Sequence, residues 1–180
     1  MKKLIFLLLF VFAGLTGLYG QNIKLKADVK ISYPIDMGEE QMDYFSINPA
    51  FDIRLEIPVH KSLGLIASGE CNFGNFSTKK IGGTKVGKYQ VYSILAGAFY
   101  SINLNNDFSL IPSVQAGVSE YVMNTNSSYF KEYQSKFSIL ASVELEKKLE
   151  EHFALNAVIS FGYYQFYCPL SLGFGAVIIF

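Results

Sequence analysis

From Leu170 to Phe180 the sequence alternates without a break. Leu170, Leu172, Phe174, Ala176, Ile178 and Phe180 fall on one face, and Ser171, Gly173, Gly175, Val177 and Ile179 on the other. Successive side chains of an extended strand point to opposite faces, so a period of two predicts a β-strand between two different environments. One environment accepts large apolar groups. The other is narrow, because three of its five positions hold Ser or Gly. A strand this apolar with open edges would template aggregation. It must therefore be paired along both edges and have apolar surroundings on its outer face.

The same alternation recurs seven times upstream. Ile23 to Tyr33 sets Ile23, Leu25, Ala27, Val29, Ile31 and Tyr33 against Lys24, Lys26, Asp28, Lys30 and Ser32. Tyr44 to Ile57 sets an apolar row against Ser46, Asn48, Ala50, Asp52, Arg54 and Glu56, with Pro49 predicting a bulge because proline cannot donate to a ladder. Leu63 to Phe73 places Ser68, Glu70 and Asn72 on its polar face. Tyr89 to Ile102 is less regular; its cleaner apolar row is Tyr92, Ile94, Ala96, Ala98 and Tyr100, which turns Ser93, Gly97 and Ser101 inward. Phe108 to Glu120, Lys136 to Glu146 and Phe153 to Tyr164 complete the set. Glu144 and Glu146 lie on the polar row of the second of these. The connections predicted between them are 34–43, 58–62, 74–88, 103–107, 121–134, 147–152 and 165–169, long and short in turn. Turn chemistry marks them, notably the Asn and Asp of 103–107.

Residues 1–20 read as a secretory signal peptide. Lys2 and Lys3 are followed by the apolar run Leu4 to Phe12, then by Gly14, Gly17 and Gly20. The expected mature domain is 21–180. Of 15 basic and 15 acidic side chains, the segment removes Lys2 and Lys3, leaving 15 − 2 = 13 basic and a net charge of −2. Near-balanced charge suggests no polyanionic partner, so no nucleic acid. Beyond the signal no stretch approaches the roughly 20 apolar residues of a membrane helix. A mature chain in a membrane would have to cross it as strands.

With these features the chain resembles the small eight-stranded bacterial outer-membrane β-barrels, the OmpX/OmpA-like family. Phe180, Ile178 and Phe174 match that family's terminal assembly signal, with Ile178 where an aromatic is more usual. The resemblance implies an all-β, up-and-down antiparallel transmembrane barrel in the cell outer membrane. It also implies the barrel-assembly machinery, membrane lipid and lipopolysaccharide as partners, and a monomer. Each strand is long enough to cross at about 45°, and the alternating connections fit long loops outside and short turns inside. A lipocalin-like soluble barrel would alternate too, with its apolar face inward. Against it stand the mixed Gly, Ser, Asn and charged face, which suits a narrow lumen, and aromatics at both strand ends. Tyr33, Tyr44, Phe45, Phe73, Tyr89, Tyr121, Phe137, Tyr163 and Tyr164 sit beside long loops; Phe99, Tyr100, Phe108, Phe153 and Phe180 sit beside short turns. They read as two interfacial girdles.

The candidate site is the row of inward charges: Lys24, Lys26, Asp28, Lys30, Asp52, Arg54, Glu56, Glu70, Glu144 and Glu146. Charges away from bulk water must be paired. Parity permits Lys26 opposite Asp52, and equally Lys24 opposite Arg54 or Glu56. The expected result is a lumen plugged by ion pairs, with a small channel or ligand-uptake barrel as the alternative. Lysines 79, 80, 85 and 88 form a possible anion-binding loop. His60 and His152 fall in short turns away from any nucleophile, so no catalytic residue, metal or cofactor is expected. A lipid-modifying enzyme is a further alternative. Cys71 and Cys168 lie near one end of the strands, and whether they pair is left open. The function expected is structural or surface-interacting, through the long loops.

Overall fold

The computed structural model describes residues 23–35, 44–45, 47–80, 83–125, 128–164 and 168–180, with backbone alone over 44–45, 76–80, 83–86, 123–125 and 128–134. The signal segment 1–20 and most of loop 34–43 lie outside the described residues. Eight long strands follow: β1 Lys24–Ile35, β2 Asn48–His60, β3 Leu63–Lys80, β4 Gly83–Tyr100, β5 Phe108–Thr125, β6 Ser128–Glu150, β7 Phe153–Tyr163 and β8 Cys168–Ile179. Two-residue strands at Tyr44–Phe45 and Ile102–Asn103 add to β3 and β5.

Each strand pairs antiparallel with the next in sequence, and β8 returns to β1 from Ile35–Cys168 to Lys24–Ile179. The sheet is a closed barrel. Its stagger can be followed around the ladder from Lys24 through Glu56, Ile66, Gly97, Gln115, Leu140 and Gly162. One rung past Phe161–Leu170 the path reaches Pro169 and re-enters β1 at Pro34, a shift of 34 − 24 = 10 residues. With about 3.3 Å per residue and about 4.8 Å between strands, eight strands so staggered tilt by about 40° and close at a radius of about 8 Å. That interior is wide enough for side chains and little else.

The faces fall as alternation requires. Ile94 is 76 % exposed, Phe174 65 % and Ile31 63 %, whereas Lys26 and Glu56 are 0 % exposed. Apolar groups cover the outside and charges are buried within, the reverse of a soluble barrel. Such an exterior is stable in hydrocarbon, where a closed ladder also leaves no backbone group unpaired. β4 takes the orientation read from its cleaner apolar row, with Ser93 and Leu95 buried. On the outer face Phe51, Phe73 and Tyr92 meet edge to face, with successive ring centroids 6.4 Å apart.

Three sequence expectations need correction. Segments 74–88 and 121–134 are largely strand, since β3 and β4 pair out to Lys80–Gly83 and β5 and β6 out to Thr125–Ser128. The turn expected at 147–152 shrinks to two residues because β6 runs to Glu150. Pro49 makes no bulge. It pairs in register with Ile31, and the β2–β3 ladder begins one residue later at Ala50. Pro112 likewise lies one residue beyond the β4–β5 ladder, which ends at Phe99–Ser113. Each proline sits at a ladder end, where a missing N–H costs least. The bulge is instead between Pro58 and His60, beside a tight turn where Lys61 has φ of 38°.

Replacing Ile94 by Arg should destabilise the barrel by about 2–4 kcal/mol, the cost of a cation on the lipid face near the middle of the bilayer. Ile94→Leu should be nearly neutral. Urea unfolding in lipid vesicles measures both.

Candidate functional site in the barrel lumen

β1 supplies alternate inward positions Lys24, Lys26, Asp28, Lys30 and Ser32, and its neighbours decide what each one meets. The β1–β2 register puts Lys26 opposite Arg54 and Asp28 opposite Asp52, and the next ladder puts Asp52 opposite Glu70. Like charges thus share rungs. Opposite charges meet one step along the diagonal: Lys30 to Asp52 at 2.9 Å, Lys26 to Glu56 at 2.9 Å, and Arg54 to Asp28. Long side chains span such diagonals readily. The expected Lys26–Asp52 pairing does not occur, because it lies on the other diagonal of this register.

The far wall completes the set. From β6, Glu144 lies 2.5 Å from Lys26 and 2.7 Å from Arg54, and Glu146 lies 2.5 Å from Lys24 and 3.1 Å from Lys26. Glu70 accepts from Lys30 at 2.8 Å, from Asn72 at 2.6 Å and from the Tyr164 hydroxyl at 2.8 Å. Asn156 donates to Asp28 at 2.8 Å. All ten charged residues read from the sequence therefore face one another within the lumen. The small residues of β8 make room for them: a Cβ on Gly175 would overlap Asp28, and one on Gly173 would lie 2.6 Å from Lys30 Cγ. Along β4 to β6 the lumen is lined differently, by hydroxyls. Ser93, Ser119 and Ser138 bond in series at 2.7 Å, as do Ser113 and Ser142.

Tyr89, Tyr121 and Tyr164, expected in the lipid girdle, turn inward and are buried near the long-hairpin end. Tyr121 donates to the Tyr164 carbonyl at 2.6 Å, and Asn48 donates to the Tyr89 hydroxyl. Phe99, expected in the other girdle, is buried with Ile66 and Ile111 near the short turns. The physical reason is shared. Phe99 covers Gly64, Tyr89 covers Gly74 and Tyr164 covers Gly162, each close enough that a Cβ on the glycine would collide with the ring. Aromatic rings fill what inward glycines leave empty. The signal was present in the sequence: Tyr89 shares parity with Ser93, Tyr121 with Ser119, and Tyr164 with Ser160. Tyr33, Tyr100, Phe137 and Tyr163 do face outward.

The short-turn end holds a polar recess of about 790 Å³, lined by residues that include Lys24, Glu146, Asn103, Asp107 and His152. His152 Nδ1 lies 3.1 Å from the Ile179 carbonyl, and His60 is exposed at the end of β2. Phe174, Ile178 and Phe180 lie on the outer face, and the Phe180 N–H donates to Ile23 at 2.9 Å. Lys79, Lys80 and Lys85 lie on the β3–β4 hairpin, whose rungs there are Thr78–Lys85, Lys79–Thr84 and Lys80–Gly83, with exposed Lys88 opposite Asn75. Cys71 lies on the outer face and Cys168 is buried. Among the described residues no three His, Cys, Asp or Glu side chains are arranged to hold a metal ion.

A closed barrel of eight strands with an apolar exterior and a charge-filled interior is a transmembrane barrel by fold. Solved structures bear out the fold. The attachment invasion locus protein Ail of Yersinia pestis, crystallised with the heparin analogue sucrose octasulfate, is 18% identical, with a TM-score of 0.61 over 89% of this chain and 99% of its own. Neisserial surface protein A is 12% identical, with a TM-score of 0.65 over 88% of this chain and 97% of its own. OprG of Pseudomonas aeruginosa is 10% identical, with a TM-score of 0.61 over 89% and 96%. No protein-family model and no curated protein sequence matches the chain.

Arg54 reaches Asp28, Asp52 and Glu144, so Arg54→Met leaves Asp28 without a cation and takes one of two from Asp52 and Glu144. Its expected cost is about 3–5 kcal/mol. Adding Asp28→Asn should recover part of that loss, with a coupling of about 0.5–3 kcal/mol in a double-mutant cycle. Additive changes in unfolding free energy would mean the two residues do not interact.

Proposed function

We propose that the protein is a non-enzymatic, non-conducting outer-membrane barrel whose working surface is the sheet that it raises beyond the lipid on the long-hairpin side. The observation that carries this reading is the unequal length of the strands. β3 to β6 run on as four paired strands after β7 and β8 have turned back. The β6–β7 ladder begins only at Ile139–Tyr163, so among the described residues the stretch 128–135 of β6 is in a ladder with β5 alone. A strand edge of that kind accepts an added strand from an extended peptide. The barrel beneath is support, with a lumen filled by ion pairs, serines and rings at a radius that leaves no aqueous path.

This reading predicts no steady conductance from the purified protein in planar bilayers. A stable ohmic step would reject the plug and favour a channel. It also predicts that cutting both long hairpins back to the lipid belt leaves a folded, heat-modifiable barrel that no longer attaches cells to surfaces. Undiminished attachment would place the function elsewhere.

The four lysines of the β3–β4 hairpin favour a second reading, recognition of an anionic sugar such as the phosphorylated lipopolysaccharide core. The sulfated sugar held in the Ail crystal is of the same chemical class. Changing Lys79, Lys80, Lys85 and Lys88 to Gln should then lower retention on a heparin column, and added salt should erase the difference.

A further inference from the structure

The lumen charges do not balance. Lys24, Lys26, Lys30 and Arg54 carry four positive charges, while Asp28, Asp52, Glu56, Glu70, Glu144 and Glu146 offer six negative ones, and all but Lys24 are buried. The imbalance divides by place. One group joins Asp28, Asp52 and Glu70 to Lys30 and Arg54; the other joins Glu56, Glu144 and Glu146 to Lys24 and Lys26. Arg54 links the groups through Glu144. In each, three carboxylates share two cations.

Within each group one carboxylate is poorly served. Glu70 and Asp28 have the donors described above, and Glu144 and Glu146 each accept from a lysine. Asp52 and Glu56, both at most 2 % exposed, meet shared cations alone: Asp52 lies 2.9 Å from Lys30 and 3.1 Å from Arg54, Glu56 lies 2.9 Å from Lys26, and among the described residues no amide, hydroxyl or backbone group donates to either. Asp52 stands on its rung between Asp28 on β1 and Glu70 on β3, with Lys30 and Arg54 as the cations facing it. Glu56 stands opposite Lys24, against Lys26 of β1, whose ammonium also holds Glu144 and Glu146 of β6. Lys136 has inward parity too, but is only half-buried, on the Ser119 rung.

We propose that the folded lumen is a proton-binding site that holds two protons, one on Asp52 and one on Glu56. Each proton cancels a charge that burial makes costly. It also turns a carboxylate that meets only shared cations into a donor: Asp52 O–H can bond to a carboxylate on its own rung. A metal cation would answer the charge count less well, because it would have to shed its water and sit among three ammonium groups and a guanidinium. The recess at the short-turn end, lined by Lys24 and Glu146, is an entrance for those protons, whereas among the described residues Tyr89, Tyr121 and Tyr164 lie buried toward the other end.

The test is infrared spectroscopy of the wild-type barrel in neutral buffer, read at the carbonyl stretch of neutral carboxyl groups. Two groups' worth of intensity is expected. Asp52→Asn and Glu56→Gln should each remove half of it and leave the urea midpoint unchanged, because each amide mimics the protonated acid. Glu70→Gln and Glu144→Gln should leave the band intact and lower the midpoint. Absence of the band in the wild type would overturn the proposal. So would midpoint losses in Asp52→Asn and Glu56→Gln equal to those of the other two, or a wild-type midpoint that rises with added potassium or calcium while the band is missing.

Discussion

Everything in this molecule depends on the ladder between β1 and β8. In hydrocarbon an unpaired peptide group costs several kcal/mol, so a sheet can cross a bilayer only if its first strand meets its last. Here they meet over the whole length of both, from Ile35–Cys168 to Lys24–Ile179. Closure then fixes the rest. Eight strands with a ten-residue stagger set one tilt and one radius, and the radius sets how much each strand can send inward. The strand richest in long charged groups lies beside the strand whose inner face is mostly Ser and Gly. Large and small share that wall because the interior has no other space for them.

The lumen's charges follow from the same constraint. Lys26–Arg54, Asp28–Asp52 and Asp52–Glu70 set like charges on one rung, so there a flat ladder would repel; reach along the diagonal turns Lys30–Asp52, Lys26–Glu56 and Arg54–Asp28 into contacts. Buried ion pairs add little net stability against an apolar filling. Their effect here is on register. Slipping β1 by two residues along β2 keeps every inward face inward, yet it moves the cations off this diagonal. The hydrocarbon-facing side would barely register such a slip, since one aliphatic residue replaces another.

Sequence alternation identified each of the eight long strands and the ten charges that meet in the lumen, though not inward Lys136, because there each strand separates an apolar exterior from a packed interior. It failed beyond the lipid. Over 76–86 and 123–134 polar and aromatic residues occupy both parities, the periodic signal disappears, and loops are inferred where the described backbone, 76–80 with 83–86 and 123–125 with 128–134, in fact continues as strand. Register was illegible for another reason: parity allows any even shift, and only the observed pairing separates Lys26–Asp52 from Lys26–Glu56. The inward tyrosines were legible by parity but were read by position along the strand, which misassigned Tyr89, Tyr121 and Tyr164.

β6 runs from Ser128 to Glu150, 23 residues. At about 3.3 Å per residue and a tilt of about 40°, it stands about 58 Å tall, against an apolar band of about 25 Å. Roughly half of its height is clear of hydrocarbon. About 10 Å of that lies at the short-turn end, where Lys147, Lys148 and Glu150 are exposed, and headgroups hide a few ångströms more, so the hairpin tip it shares with β5 is a mast about 20 Å above the bilayer core. Whatever meets the tip need never approach the lipid.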